Sequence, residues 1–343
     1  MAFPAQGGWG NLPNGAFSPT IFSKKAQKAF RKSSVVSDIC NTDYAGELSA
    51  YGDSVRIIKE PDIEINSLKR GTAIVQQDLI DSDFSLIIDQ ANYFSFQLDD
   101  IEESHSHVNF MDLATDRAGY KLRDEFDAEV LGYMSGYEKV AGAWVARTAP
   151  SGIPQDATAD DDELLAANKL DASTFDAAGV AETSIALAPN TDEGVSPLQL
   201  LNRMKRKLDM ANVESENRWV VCDPVFVELL LDEDAKLVNH DWGGDSEVRN
   251  GRLPNTIRGF RVYQSNNLPY LGAGPDKISE GSKVDLGILV AGHDSAVATA
   301  EQLAKTEKFR SPDRFSDVVR GMQLYGRKIL RSESLLTAKY NVA

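Results

Sequence analysis

Apolar and polar positions alternate with period two over residues 83–100, "DFSLIIDQANYFSFQLDD". Phe84, Leu86 and Ile88 fall on one face, and Phe94, Phe96 and Leu98 repeat the alternation beyond a polar "DQAN". Such alternation marks a strand with one covered face, so the stretch predicts two strands or one long bent strand. Upstream, Val55, Ile57 and Ile58 in "GDSVRIIKE" predict a strand over residues 52–60 that starts at a turn. Together the two make a long two-stranded arm. A two-stranded arm is marginal in water and needs something to lie on.

The period then changes to four. Phe110, Ala114, Ala118, Leu122, Phe126, Val130 and Met134 recur in register, while Asp112, Asp116, Lys121, Arg123, Asp124 and Glu125 fall largely elsewhere. This predicts one amphipathic helix over residues 108–137, roughly 43 Å long at about 1.5 Å per residue. Gly119 weakens its middle. A helix of that length with one apolar stripe acts as a brace, not as a bundle member.

Periodicity fades over residues 146–195, which are poor in aromatics and rich in Ala, Asp, Thr, Ser, Gly and Pro. They are expected to form a surface loop or insertion, with a short helix in "LLAANKL". In "SPLQLLNRMKRKLDMAN", Ser196 is placed as an N-cap and Pro197 at the first helical position. Leu200, Leu201, Met204 and Leu208 form the apolar face of this helix. "RWVVCDP" predicts a buried strand stopped by Asp-Pro, "VFVELLLDED" a short helix and "FRVYQSNNLP" another strand. A strand over 286–291 and a helix over about 295–305 are expected next, followed by extended basic segments in "FSDVVRGMQLYGRKILRSESLLTAKYN". The order implies a mixed α+β domain. At the other end, residues 1–23 are rich in Gly, Pro and Asn and predict an arm, and residues 24–33 one or two turns of basic helix.

The length of 343 residues allows two domains or one large domain with insertions. No run approaches the 18 or so apolar residues of a membrane helix, and the N-terminus lacks the pattern of a signal peptide. Cys40 and Cys222 lie far apart, so no structural disulfide is expected and a reducing compartment is the default. A net charge of -16 argues against a protein that grips nucleic acid by sequence. The distribution is more telling than the total. Residues 1–23 carry no charge, and Lys24, Lys25, Lys28, Arg31 and Lys32 follow at once. Asp81, Asp83, Asp89, Asp99, Asp100, Glu102 and Glu103 then fill residues 81–104 without a single base. A chain with a basic arm and acidic segments elsewhere suits pairing with copies of itself, although solvated surface is the simpler reading of each run.

Candidate chemistry is sparse. His105 and His107 in "SHSH" are spaced to bind a metal from a strand, with Glu102, Glu103 and Asp112 nearby, but no third strong ligand repeats the spacing. Polar residues at a helix entry explain the pair more simply. His240 and His293 are expected in loops or caps. "DDDE" at 160–163 lacks the glycine and terminal glutamate of a calcium loop. No phosphate loop, dinucleotide fingerprint or nucleophile elbow occurs, and Ser295 in "GHDSAVA" is expected to cap a helix. No catalytic residue and no cofactor are expected.

The order of elements, an arm, a basic segment, a β-arm, a very long helix and an α+β domain, resembles tailed-phage major capsid proteins of the Hong Kong 97-like fold. "NRWVV" after a helix, followed by Pro and a short helix, is typical of that family. "GRLPNTIRGFRVYQSNNLP" is similar to its "GF-x-V-x-x-S-N-N-L-P" segment. "GHDSAVATAEQL" and "FSDVVRGMQLYGRKILRSESLL" resemble its C-terminal region. The resemblance covers residues 25–340, with 140–195 fitting least well. It implies an N-terminal arm over 1–50, a β-hairpin E-loop over 51–104, and a spine helix with part of a peripheral P-domain over 105–145. A variable insertion over 146–195 would precede an axial A-domain, mainly 196–310, with a central mixed sheet flanked by helices. Residues 311–343 would return into the P-domain.

The implied function is a shell subunit that self-assembles into hexamers and pentamers around double-stranded DNA contacted non-specifically. The implied partners are further copies, a separate scaffolding protein, a portal and a decoration protein, with no membrane. The place would be the virion, assembled in the host bacterial cytoplasm. Lys24, Lys25, Lys28, Arg31 and Lys32 would meet Asp81, Asp83, Asp99, Asp100, Glu102 and Glu103 between subunits. Trp242, Asp245, Glu247, Arg249, Asn250 and Arg252 would line an axial loop. The alternatives are an encapsulin-like compartment shell and, from another class, a soluble metal-dependent enzyme using His105 and His107.

Overall fold

The computed structural model describes residues 34–44, 54–59, 82–100, 110–146, 168–170, 184–188, 194–232, 256–272, 286–312 and 315–342, with a few positions between 63 and 78 and Leu164. The basic segment at 24–32 and the expected axial-loop residues 242–252 lie outside the described residues.

A mixed sheet forms the centre. Its strands run β5 (Lys169–Leu170), β14 (Leu335–Val342), β11 (Leu286–His293), β7 (Arg218–Cys222), β9 (Phe260–Gln264) and β8 (Thr256–Ile257), with β6 (Ile185–Leu187) and β10 (Tyr270–Leu271) attached. β7 pairs parallel to β9 and antiparallel to β11. Both faces are covered, which explains why "RWVVC" lacks alternation. Val220 and Cys222 point to one layer, with Leu201, Met204 and Leu208 of helix α3 (Pro197–Met210) and Phe226 of helix α4 (Pro224–Leu231). Trp219 and Val221 point to the other, with Val130, Leu131 and Met134 of helix α2 (Phe110–Ser135).

Local chemistry sets these elements. Ser196 Oγ accepts from the Gln199 N–H at 3.3 Å, with Pro197 at the first helical position as expected. Asp223 does the same for α4 through the Phe226 N–H at 3.3 Å. Its carboxylate also accepts from the buried Tyr340 hydroxyl of β14, which ties the helix to the sheet. The buried Arg218 guanidinium donates to Asp209 and to the Val213 carbonyl, both at 2.6 Å, and clips the end of α3 to β7.

A second sheet has the order β1 (Ser54–Lys59), β2 (Ser82–Asp99), β13 (Ser316–Ile329) and β12 (Val297–Arg310). The expected bend near "DQAN" is a bulge in one continuous strand, where Gln90 faces Tyr325 and Ile88 faces Gly326. The arm is therefore not an isolated pair: its return strand is zipped to β13 from Ile88 onward. A small hairpin, β3 (Tyr137–Val140) and β4 (Ala143–Ala146), follows α2.

Three expectations are corrected. The helix expected over 295–305 is a strand. Ala, Gln, Glu, Leu and Lys favour helix locally, but the chain enters by a tight turn, with the Ala296 N–H donating to His293 O at 2.9 Å. From Val297 onward it pairs with β13 apart from one shift near Gln302, and this pairing outweighs a weak propensity. Ser295 accordingly caps no helix; its Oγ lies 2.8 Å from His293 Nδ1 in the turn. The short helix expected in "LLAANKL" lies partly outside the described residues; its last two, Lys169 and Leu170, are extended and pair with Thr337 and Ala338. Finally, α2 stops at Ser135, because Gly136 takes φ +83° and the chain turns into β3. Its burial is not an even stripe: Phe126 to Ser135 is largely covered all round, while the first half is half-exposed. Cys40 and Cys222 are both buried and free.

Candidate interaction surface

The second sheet has two unlike faces. Even positions of β2 turn inward: Leu86 is fully buried against Ala298, Ala300 and Leu330. Asn92 donates to Glu129 Oε2 of α2 at 3.0 Å, and the Phe126 ring of α2 stands edge-on to Tyr325 at 4.8 Å. Burial, set against the Asn92 bond and Arg327, holds the Glu129 carboxyl above its ordinary range. Phe94 lies over Gly321, where a Cβ would come within 2.4 Å of the ring.

Odd positions turn outward. Residues directly opposite in a sheet share a face, so the register assigns the outer rows. Tyr93 faces Met322, which faces Lys305. Ser95, Arg320 and Glu307 form the next row, and Gln97, Val318 and Phe309 the third. Tyr93 is 80% exposed, and Met322 and Phe309 are 39% each. The outer face continues past the bulge to Ile87, 51% exposed, and across to Ile58 on β1, 74% exposed. An interrupted apolar stripe, Ile58, Ile87, Tyr93, Met322 and Phe309, thus runs over the outer face between polar positions such as Ser54, Asp89 and Ser95. Phe315, in the turn between β12 and β13, is 80% exposed at its end.

Charges beside the stripe cancel locally. Arg320 donates to Glu307 at 2.8 Å and covers the Phe309 ring at 4.9 Å, and Lys305 also pairs with Glu307. On the opposite face, where Asp317 stands level with Leu98 and Lys308 with Val319, Lys308 pairs with Asp317 at 2.9 Å, and Arg310 bridges Asp317 and Asp100. Lys305 and Arg320 hold the Glu307 carboxyl down at about 2, and Lys308 and Arg310 lower Asp317. A face with Tyr, Phe and Met exposed and with Arg320 and Lys305 paired to Glu307 has the composition of a protein interface.

Of the expected contact residues, Asp99 and Asp100 are described, and Asp83 lies in β2. Asp100 is engaged within its own chain by Arg310. Lys24, Lys25, Lys28, Arg31, Lys32, Asp81, Glu102, Glu103 and the axial-loop set lie outside the described residues, as do His105 and His107. Among the described residues, no three His, Cys, Asp or Glu side chains come together as a metal would need. No described helix is long and apolar enough to cross a membrane. The sequence reading missed the outer stripe. Its signal was present: Ile87 and Tyr93 stand at positions where a one-sided strand should be polar.

No protein-family model and no curated protein sequence matches the chain. Solved structures do match, nearly end to end. A structure from Mycobacterium phage Che8 has a TM-score of 0.66 at 21% identity, covering 94% of this chain and 97% of that one. The capsid of cyanophage P-SCSP1u gives 0.65 at 17%, covering 96% and 94%. The capsid of Ralstonia phage GP4 gives 0.64 at 16%, covering 98% of each. At such identities the likeness is one of fold: the chain has the α+β fold of these phage structures.

Proposed function

We propose that this chain is a phage major capsid protein, a structural subunit that assembles with copies of itself into a closed shell. The observation that carries the reading is the end-to-end match in fold to phage capsid structures, with no large part of either chain left over. The outer face of the second sheet fits the role, because an exposed apolar stripe flanked by neutralised charges is a surface waiting for a partner. In this reading residues 51–104 are the E-loop, α2 is the spine, and the central sheet is the core of the A-domain. The loop at 241–252 meets its copies at the symmetry axes, in hexamers and pentamers. Each contact is weak, and repetition over many copies supplies the avidity.

The chain's charge of -16 means that packaged double-stranded DNA is enclosed without being gripped. A separate scaffolding protein, a portal and a decoration protein are the further partners, in a virion built in the bacterial cytoplasm. The test is electron microscopy of the purified protein, expressed with and without its genomic neighbours. Shells, sheets or capsomers are expected. A protein that stays strictly monomeric under all these conditions contradicts the reading.

A further inference from the structure

Residues 34–41 are anchored more heavily than their length suggests. Val35, Val36 and Ile39 are buried with Val130, Leu131 and Met134 of α2 and with Trp219 of the central sheet. Helix α1 (Val36–Ile39) has no cap from its own N-terminal side chain. Its first N–H groups are satisfied from elsewhere. Asp127 Oδ1, on α2, accepts from Val35 N at 2.8 Å, from Val36 N at 3.0 Å and from Ser34 Oγ at 3.0 Å. Asp127 Oδ2 accepts from Asn267 Nδ2 at 2.9 Å, and Asn267 also donates to Asp124 at 3.0 Å. Asp127 is fully buried. At the far end of the segment, Asn41 N donates to Val297 O at 2.9 Å, and Thr299 N donates to Asn41 O at 3.0 Å.

We infer that residues 34–41 are a latch, docking and undocking as one unit on the Asp127 carboxylate, which ties together Ser34 to Val36, helix α2 and the Asn267 turn. The physical reason is the buried charge. A buried carboxylate that loses one donor while staying dry costs more than the bond is worth, because the charge is left short of partners. When the whole segment leaves, water reaches Asp127 and replaces the lost donors together. Half-docked states are therefore disfavoured, and the segment behaves as a cooperative local unit below the threshold of global unfolding. Its departure breaks no ladder between named strands and no hydrogen bond internal to α2.

The two cysteines report on it. Cys40 lies within the latch, and its thiol is pushed up by burial and by Asp127, so it is inert while docked. Cys222 sits in the central sheet and is equally buried. The experiment measures thiol labelling of unassembled full-length protein in Cys40→Ser and Cys222→Ser backgrounds. Cys40 is expected to react at least about tenfold faster than Cys222. Asp127→Asn is expected to speed Cys40 by about ten- to a hundred-fold and leave Cys222 unchanged. Ser34→Ala, which removes one donor of four, gives a smaller rise. If Asp127→Asn does not fold, the wild-type ratio decides, with hydrogen exchange at the Val35 and Val36 amides as the second reading. Equal rates at both cysteines, Val35 and Val36 amides exchanging only with global unfolding, or a Cys40 rate indifferent to Asp127→Asn would overturn the latch.

Discussion

In the central sheet, β7 and residues 286–292 of β11 are buried on both faces, one against α3 and α4, the other against α2. In the four-stranded sheet, β2 is covered on its even positions and bare on its odd ones. Both sheets use Val, Ile, Leu, Phe and Tyr. What differs is who supplies the cover. The first is finished within one molecule. The second offers Ile58, Ile87, Tyr93, Met322 and Phe309 to solvent, while Lys305 and Arg320 of that face are already paired with Glu307. A stable fold and a binding surface are thereby separated. Changes in the first should cost stability, and changes in the second should cost association.

The largest effect is expected at Trp219, fully buried beside Val221, Val290 and Leu131. Trp219→Ala should cost about 3–5 kcal/mol, read as a shift of the denaturant midpoint. That is a large share of a typical stability of about 5–15 kcal/mol. If its cost were no larger than that of outer-face changes, the contrast between the sheets would fail.

Next comes the Asp223–Tyr340 pair. Tyr340→Phe removes the buried donor and should cost about 1–3 kcal/mol. Burial raises the Asp223 carboxyl from 3.8 to about 6. Between those values the folded state holds the proton that the unfolded state has released. This group's contribution is therefore fully present below pH 3.8 and is lost as pH rises through about 6. Asp223→Asn should flatten unfolding profiles across that window, whereas an unchanged profile would show that Asp223 is not buried as described.

Much of this organisation was legible in the sequence where one element's chemistry is local. Ser196-Pro197 announced a helix start, "RWVVCDP" a buried strand stopped by Asp-Pro, and the four-residue recurrence a long helix. What escaped depends on distant partners. Residues 297–310 are helix-forming by composition and become a strand because β13 lies beside them. Asp127 was lost among the charges of "RDEFDAE", since its partners are Ser34, Val35, Val36 and Asn267, about 90 residues upstream and 140 downstream. The outer stripe was visible as Ile87 and Tyr93, but its meaning required knowing that Met322 and Phe309 join it from strands more than 200 residues away.

The smallest effect on stability, and the largest on association, is expected on that stripe. The measurement that tests the central claim most directly is a paired one on Tyr93→Asp with Met322→Asp. The unfolding midpoint and the yield of assembled particles are recorded on the same preparation. The account predicts a midpoint within about 0.5 kcal/mol of the parent for each exposed site, together with loss of particles seen by sedimentation and microscopy. Particles at parental yield from a folded double variant would contradict it.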